Sequence, residues 1–323
     1  MKSNAFILKL IIFALSISSA ILAQQLPQSY FNNTTPVLFN PAFWNTDLLN
    51  YKYVADNQIF ISANKQYWGI DDSPLKISLN YDRYYNHKMA FGLSGLSDSF
   101  GPYSRKSIGA RYALAVDLNE KSFISGGINY ALNFNIFDAS KVTLRHLNDP
   151  IGSTNESNLN SSISVGIFYS NVIDNKNVVY TGASIQNIVS IGDLNNENNE
   201  KFFNIPVYTF NFGYAYYISE NYSNLSYLEP SIVVKNAKNI STDIDLALKY
   251  YLRNLISFKP GIRMSSRDEF SINFLHFDLG FNISHFYKDA QSRFEIGYSF
   301  EYPINANLFG IGSSNEINLT ILF

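Results

Sequence analysis

The residues able to do chemistry are few and scattered. The chain holds four histidines, His87, His146, His276 and His285, and no cysteine. No HExxH motif occurs, and no two histidines form a His-x-His or His-x3-His pair, so metal ligation is unsupported. No GxSxG elbow, Walker loop or GxGxxG turn stands between a strand and a helix. Ser, His and Asn, which barrel lipases use on an outer wall, are present, but their presence alone carries nothing. The expectation is a protein that is not an enzyme and holds neither cofactor nor metal. Charged residues give a clearer pattern. Asp82 and Arg83 are adjacent, so on a strand they face opposite ways, whereas Asp243 and Asp245 share a face with Lys249. Arg293, Glu295 and Glu301 share another. Such faces either select a solute in a lumen or neutralise one another in a network that fills it. Both signs occur and no single-sign ring is visible, which favours the network.

Composition narrows the class of protein that carries these groups. Of 323 residues, 46% are hydrophobic and 16% aromatic, while only 15% are charged, against roughly 25% in an ordinary soluble domain. A formal net charge of -2 gives no basic footprint for nucleic acid. The lack of cysteine excludes disulfides, thiolate zinc sites, iron–sulfur clusters, a cysteine nucleophile and an acylated lipoprotein anchor. High aromatic content with low charge fits an outer-membrane barrel with aromatic girdles and a polar interior.

The N-terminus reads as an export signal. Lys2 and Lys9 precede a run, Leu10 to Ile17, that is apolar apart from Ser16 and is followed by the small residues Ser18, Ser19, Ala20 and Ala23. This predicts a signal peptide over 1–23, cut before Gln24, with cleavage after Ala20 as the second choice. No later stretch is apolar for the ~18 residues an inner-membrane helix needs.

The remainder alternates with a period of two. Tyr208, Phe210, Phe212, Tyr214, Tyr216 and Ile218 interleave with Thr209, Asn211, Gly213, Ala215 and Tyr217. The same alternation runs through 124–136, 162–169, 243–252, 293–302 and 317–323. Several runs reach the roughly 9–11 residues that a tilted strand needs to cross a bilayer. The expected fold is all-β: a transmembrane, antiparallel outer-membrane β-barrel of about 14 strands over 58–323. A soluble β-sandwich also alternates. Tyr and Phe near strand ends, small polar residues on the opposite faces, and an apolar final strand ending in Phe323 weigh against it. Residues 24–57 do not alternate and are interrupted by Pro27, Pro36 and Pro41. They form either a lumen plug or a periplasmic lead-in. Phe137 to Leu159 and Ile188 to Pro206 read as long loops, and such loops are where partner contact or pore closure is expected.

Short motifs then add a resemblance. Gln25-Leu26-Pro27-Gln28-Ser29-Tyr30 is similar to a Gln-Asp-Pro-x-Tyr opening, and Asn40-Pro41-Ala42-Phe43 to Asn-Pro-Ala-Tyr. The run Gln66-Tyr67-Trp68-Gly69-Ile70-Asp71-Asp72-Ser73-Pro74 resembles Gln-Trp-x-Gly-x-x-Gly-Ala-Pro, with Tyr67 in the Trp place and Asp72 in the Gly place. Asp98, Gly101 and Pro102 fit an Asp-x-x-Gly-Pro element after the third strand. Asn148, Asp149 and Pro150 lie where a first long loop carries Asp-Pro. Gly182 to Ile188, Ile296 to Tyr302 and Glu316-Ile317 continue the series. Together these resemble the PorP/SprF family, outer-membrane proteins of the type IX secretion system of Bacteroidota. The resemblance implies an outer-membrane accessory of that system, with links to gliding motility in some members. It would dock a large secreted surface adhesin bearing a C-terminal sorting domain, or other type IX components, for export or surface attachment. Its surroundings would be outer-membrane lipid. The alternative is an outer-membrane channel for small solutes. Leu26, Tyr67 and Asp72 depart from the family pattern.

Overall fold

The computed structural model describes residues 39–44, 56–85, 88–142, 155–174, 176–191, 205–219, 225–237, 241–266, 269–286, 292–305 and 312–323. The expected signal peptide and Asn148, Asp149 and Pro150 lie outside these residues.

Fourteen antiparallel strands close into one barrel. The first seven are β1 (Asn57–Lys65), β2 (Leu75–Tyr85), β3 (Met89–Phe100), β4 (Tyr103–Asn119), β5 (Ser122–Phe137), β6 (Glu156–Ile173) and β7 (Asn177–Ile191). The others are β8 (Val207–Ser219), β9 (Ser226–Ala237), β10 (Asp243–Leu252), β11 (Ile256–Ser265), β12 (Ile272–Asn282), β13 (Arg293–Pro303) and β14 (Ser314–Leu322). Each strand pairs with its sequence neighbours, and β1 pairs with β14 from Gln58↔Leu322 to Lys65↔Asn315. Closure leaves no unpaired edge, which is the condition for strands to cross a bilayer, where no water can satisfy a free N–H or C=O. The strand count and the closing pair agree with the alternation read from the sequence. The loops are shorter than that reading made them: β6 already begins at Glu156 and β7 continues to Ile191.

The period of two becomes an inside and an outside. Thr209, Asn211, Gly213, Ala215 and Tyr217 on β8 are buried within the barrel, while Tyr208, Phe210, Phe212, Tyr216 and Ile218 are exposed on its wall. The same division holds on β5, with Ile124, Ile128, Tyr130, Leu132 and Phe134 outward. Outward charges such as Lys65, Arg83 and Lys106 lie towards strand ends. A lysine or arginine at the bilayer midplane would cost about 2–4 kcal/mol. Outward aromatics stand near both ends, as a girdle requires: Tyr85, Phe91 and Phe294 at one, Phe100, Tyr103 and Tyr302 at the other. Phe210 and Phe212, however, sit in mid-strand, so the aromatic signal is broader than two belts.

Connections alternate between the two ends. One end carries both barrel termini, joined by Asn57 N–H to Phe323 O at 2.9 Å. It also carries several short turns, such as that between β4 and β5. The other carries the longer connections, including 138–155 and 192–206. Short turns face the periplasm in outer-membrane barrels and long loops face outward.

Candidate functional site

The interior is built from polar and charged side chains on the buried parity. Arg263 on β11 is the hub of one network, donating to Glu301 on β13 and, at 3.0 Å, to Asp245 on β10. His276 Nε2 lies 3.3 Å from the same Asp245 carboxylate. Lys259 pairs with Asp278 at 2.9 Å, and Arg293 with Glu295 at 2.8 Å. Asn64 donates to Glu316 at 3.0 Å, and Ser62 shares a hydrogen bond of 2.8 Å with Ser78. Asp245 on β10 and Arg293, Glu295 and Glu301 on β13 lie on faces that the sequence marked as charged, whereas their neighbours Lys259, Arg263 and Asp278 on β11 and β12 did not stand out there; opposite signs meet across these strands as in a network. Towards the termini end, Tyr217, Tyr227 and Tyr251 pack ring to ring at 5.2 and 5.1 Å. Lys249 sits over two of these rings and Arg293 over Tyr251.

The second part of the filling comes from the N-terminal segment. Residues 39–44 run inside the barrel from mid-lumen towards the termini end. Ser184 Oγ donates to Phe39 O, Asn40 Nδ2 donates to Ile167 O at 2.9 Å, and Ser125 Oγ donates to Ala42 O at 2.6 Å. Arg111 is the main tie. Its Nη1 donates to Pro41 O at 2.8 Å and Phe43 O at 3.1 Å, while Nε and Nη2 hold Asp82 at 2.9 and 2.6 Å. Phe43 then packs edge-on against Phe168 at 4.8 Å, and Trp44 against Tyr84 at 5.2 Å. The wall is shaped to admit this segment: a Cβ on Gly127 would overlap the Pro41 carbonyl, and one on Gly166 would overlap the Asn40 carboxamide. Asn40 also accepts from Ala42 N–H at 2.9 Å, an Asx-type turn that, with Pro41, sets the bend. The two landmarks Asn40 and Pro41 are therefore residues of a lumen contact.

Most other landmarks meet at the loop end. Gln66 N–H donates to Pro74 O at 2.9 Å, Trp68 N–H to Ser313 O at 2.7 Å, and Gly101 N–H to Asp72 O at 3.0 Å. Asp138 N–H then reaches Pro102 O at 2.9 Å. One chain of backbone bonds thus joins the β13–β14, β1–β2 and β3–β4 connections to the start of the loop after β5. Gly69 lies in the same turn at φ 100°. Trp68 is 63% exposed at this rim, with Lys65 Nζ 5.5 Å above its ring. Asp98 lies within β3, opposite Lys76 and Arg105, so it faces the lumen and is not part of the turn.

Gly101 and Asp72 both adopt left-handed backbone, at φ 53° and 54°. That explains a glycine in the family pattern at the place of Asp72. Asp tolerates this conformation better than most residues but still carries a steric cost. Asp72→Gly is expected to stabilise the barrel by up to about 1 kcal/mol. A urea titration in detergent checks this, and destabilisation would show that the Asp72 side chain holds the turn.

The motifs thus point to two places, a lumen segment and a rim cluster. Sequence reasoning did not find Arg111, whose role depends on the approach of a segment 70 residues away. Nor did it find Ser125 and Ser184, two serines among many on the inward parity. Among the described residues no group of three or more His, Asp or Glu is arranged to hold a metal ion.

Solved structures similar to the chain include the crystal structure of a Pseudomonas aeruginosa FadL homologue. It is 10% identical, covering 88% of this chain and 92% of that one, with a TM-score of 0.43. The Pseudomonas putida toluene transporter TodX is 9% identical over 91% and 93%, with a TM-score of 0.44. The Acinetobacter baumannii outer membrane protein Omp33 is 7% identical over 83% and 98%, with a TM-score of 0.43. No curated protein sequence matches. Residues 21–321 match the family described as type IX secretion system membrane protein PorP/SprF. With that match spanning nearly all of a closed, 14-stranded barrel, the chain belongs to the PorP/SprF family and is an outer-membrane component of the type IX secretion system.

Proposed function

We propose that this barrel is a docking accessory of the type IX system. It stays in the outer membrane and presents its loop end to a large secreted surface protein with a C-terminal sorting domain, or to another component of the machine. Docking serves export of that cargo or its attachment at the cell surface. In this reading residues 1–23 direct export, 24–57 serve as a plug, and the chain performs no bond chemistry of its own.

The observation that supports docking over solute passage is the filled lumen. A barrel of this strand number has room for a channel, yet ion pairs, a tyrosine stack and residues 39–44 occupy much of the described interior. Among the described residues the rim cluster offers a surface to partners, where backbone bonds join three connections to the start of a fourth and Trp68 is exposed.

The test is a pull-down of the tagged protein from mildly solubilised outer membranes, with mass spectrometry of what accompanies it. Recovery of a large surface protein with a C-terminal sorting domain, or of type IX components, is the expected result. Recovery of the barrel alone, together with steady conductance of the unmodified protein in a planar bilayer, would replace docking with the channel.

A further inference from the structure

The strands divide their charges unevenly between the two faces of the wall. Every Asp and Glu within β1 to β14 has the inward parity, and so does every Lys and Arg except Lys65 on β1, Arg83 on β2 and Lys106 on β4. From β5 to β14 no strand residue of the outward parity is charged. Long cationic side chains at a bilayer edge can snorkel anywhere around a barrel, yet here they are confined to one sector and one sign. Lys65 and Lys106 lie at its loop end and Arg83 at the termini end.

The wall itself sets their height. Below Lys106, β4 turns Ile108, Ala110, Tyr112, Leu114, Val116 and Leu118 outward. At about 3.3 Å per residue and a tilt of about 40°, that run rises roughly 25 Å, the height of the apolar band of an outer-membrane barrel. Lys106 therefore stands just above the hydrocarbon, at head-group level. Around the wall, Lys65 pairs with Leu75, Leu75 with Ser99 and Ser99 with Ser104. Three such steps of about 4.8 Å set the Lys65 and Ser104 backbones roughly 14 Å apart. Lys106 shares the outward face with Ser104, two residues on, and pairs directly with Ser97. On β5 the patch ends at Phe134 and Ile136, the partners of Lys106 and Ser104. At its other side Lys65 Nζ stands 5.5 Å from the centroid of the exposed Trp68 ring, an aromatic suited to the membrane interface. The exposed carboxylates Asp71 and Asp72 sit in the β1–β2 connection, beyond the strand ends.

We propose that the loop end of the β1–β4 wall binds the phosphorylated sugar head group of an outer-leaflet glycolipid, with Lys65 and Lys106 taking phosphate and Ser97 and Ser104 taking sugar hydroxyls. Charge selects an anion, since the outward face of these strands holds cations and no carboxylate. Breadth selects a sugar head group over a simple phospholipid, because the two lysines bracket four strands with hydroxyls on the same face. Height selects the outer leaflet, because the loop end faces outward. This site stands whether or not the barrel docks cargo.

The test is native mass spectrometry of the protein in a non-ionic detergent, titrated with diphosphoryl lipid A, chemically dephosphorylated lipid A, or phosphatidylglycerol. Diphosphoryl lipid A is expected to bind, and the other two to bind at least tenfold more weakly. The double variant Lys65→Gln, Lys106→Gln, confirmed as folded by heat-modifiable migration, is expected to lose at least tenfold in affinity. Arg83→Gln removes an outward cation at the opposite end and is expected to bind as the parent does. Equal binding of dephosphorylated lipid A would overturn the role of phosphate, and equal binding of phosphatidylglycerol would overturn the glycolipid. Undiminished binding by the double variant, or an equal loss in Arg83→Gln, would overturn the site.

Discussion

Replacing Arg111 with methionine is expected to release residues 39–44 from the wall and to destabilise the barrel by about 3–5 kcal/mol, the range for removing one partner of a buried ion pair. One guanidinium satisfies Asp82 through two nitrogens and the Pro41 and Phe43 carbonyls through the third. Without it the Asp82 carboxylate stays buried without its cation, and two buried carbonyls lose a charged donor. A cysteine-free chain offers a direct readout. Ala42 is fully buried, so a cysteine placed there should react slowly with a membrane-impermeant maleimide in the parent. In Arg111→Met its labelling should accelerate at least about tenfold, since 1.4 kcal/mol of local opening free energy already gives that factor. Asp82→Asn combined with Arg111→Met removes the stranded charge but not the missing tether. That double variant should recover much of the stability while labelling stays fast. Slow labelling in both variants would mean that Ser125, Ser184 and the Phe43 packing hold the segment without Arg111.

The sequence disclosed the wall of the molecule far better than its contents. Alternation on a strand reports which face meets lipid, because each side chain on that face answers to the same solvent. Hence Phe294, Ile296, Tyr298 and Tyr302 could be placed on one side of β13 from spacing alone, and the strand count followed from their recurrence. The polar parity carries less information. A serine facing water, a serine tied to another strand and a serine holding a segment inside the lumen look alike in sequence. Ser125 and Ser184 became distinguishable only once the carbonyls of Ala42 and Phe39 stood opposite them. The same holds for Gly127 and Gly166, which read as small residues in polar faces but are the places where backbone must pass close to the wall. Asn40-Pro41 was legible as a motif and as a bend, but not as something inside a barrel, because its hydrogen-bond partners lie up to 127 residues away in sequence. Strand ends were the weakest element. Glu156 to Leu159 are polar at three of four positions, a composition that suits a loop as well as the wet side of a strand.

In the docking proposal the lumen and the rim have separate tasks. A barrel whose interior is packed gains a rigid frame, and a rigid frame holds the turns at its rim in fixed relation. The bonds from Trp68 to Ser313 and from Gly101 to Asp72 are made between connections that would otherwise move separately. A partner that reads several turns at once then meets a surface already in place, which lowers the ordering cost of association. Rigidity at the loop end therefore depends on the polar network below it.

That dependence leads to the second large effect, at Arg263. Arg263→Met removes the cation held between Asp245 and Glu301, two buried carboxylates on β10 and β13 that β11 and β12 separate. The expected cost is again about 3–5 kcal/mol, because the carboxylates keep their desolvation and lose the charge that offset it. Urea unfolding in detergent micelles measures it. Changing all three residues, with Arg263→Met, Asp245→Leu and Glu301→Met, removes the cation together with both of its carboxylates and leaves His276 without its Asp245 neighbour. Such replacements are often neutral or stabilising by about 1–4 kcal/mol, so the triple variant should be more stable than the single one by several kcal/mol. The comparison also bears on function. A network that is dry and packed gives this large difference between the single and triple variants. If instead Arg263→Met costs less than about 1 kcal/mol, the value typical of ion pairs in water, then solvent already reaches Asp245 and Glu301. The lumen would then be wet along this wall, and the filled interior would no longer favour docking over passage.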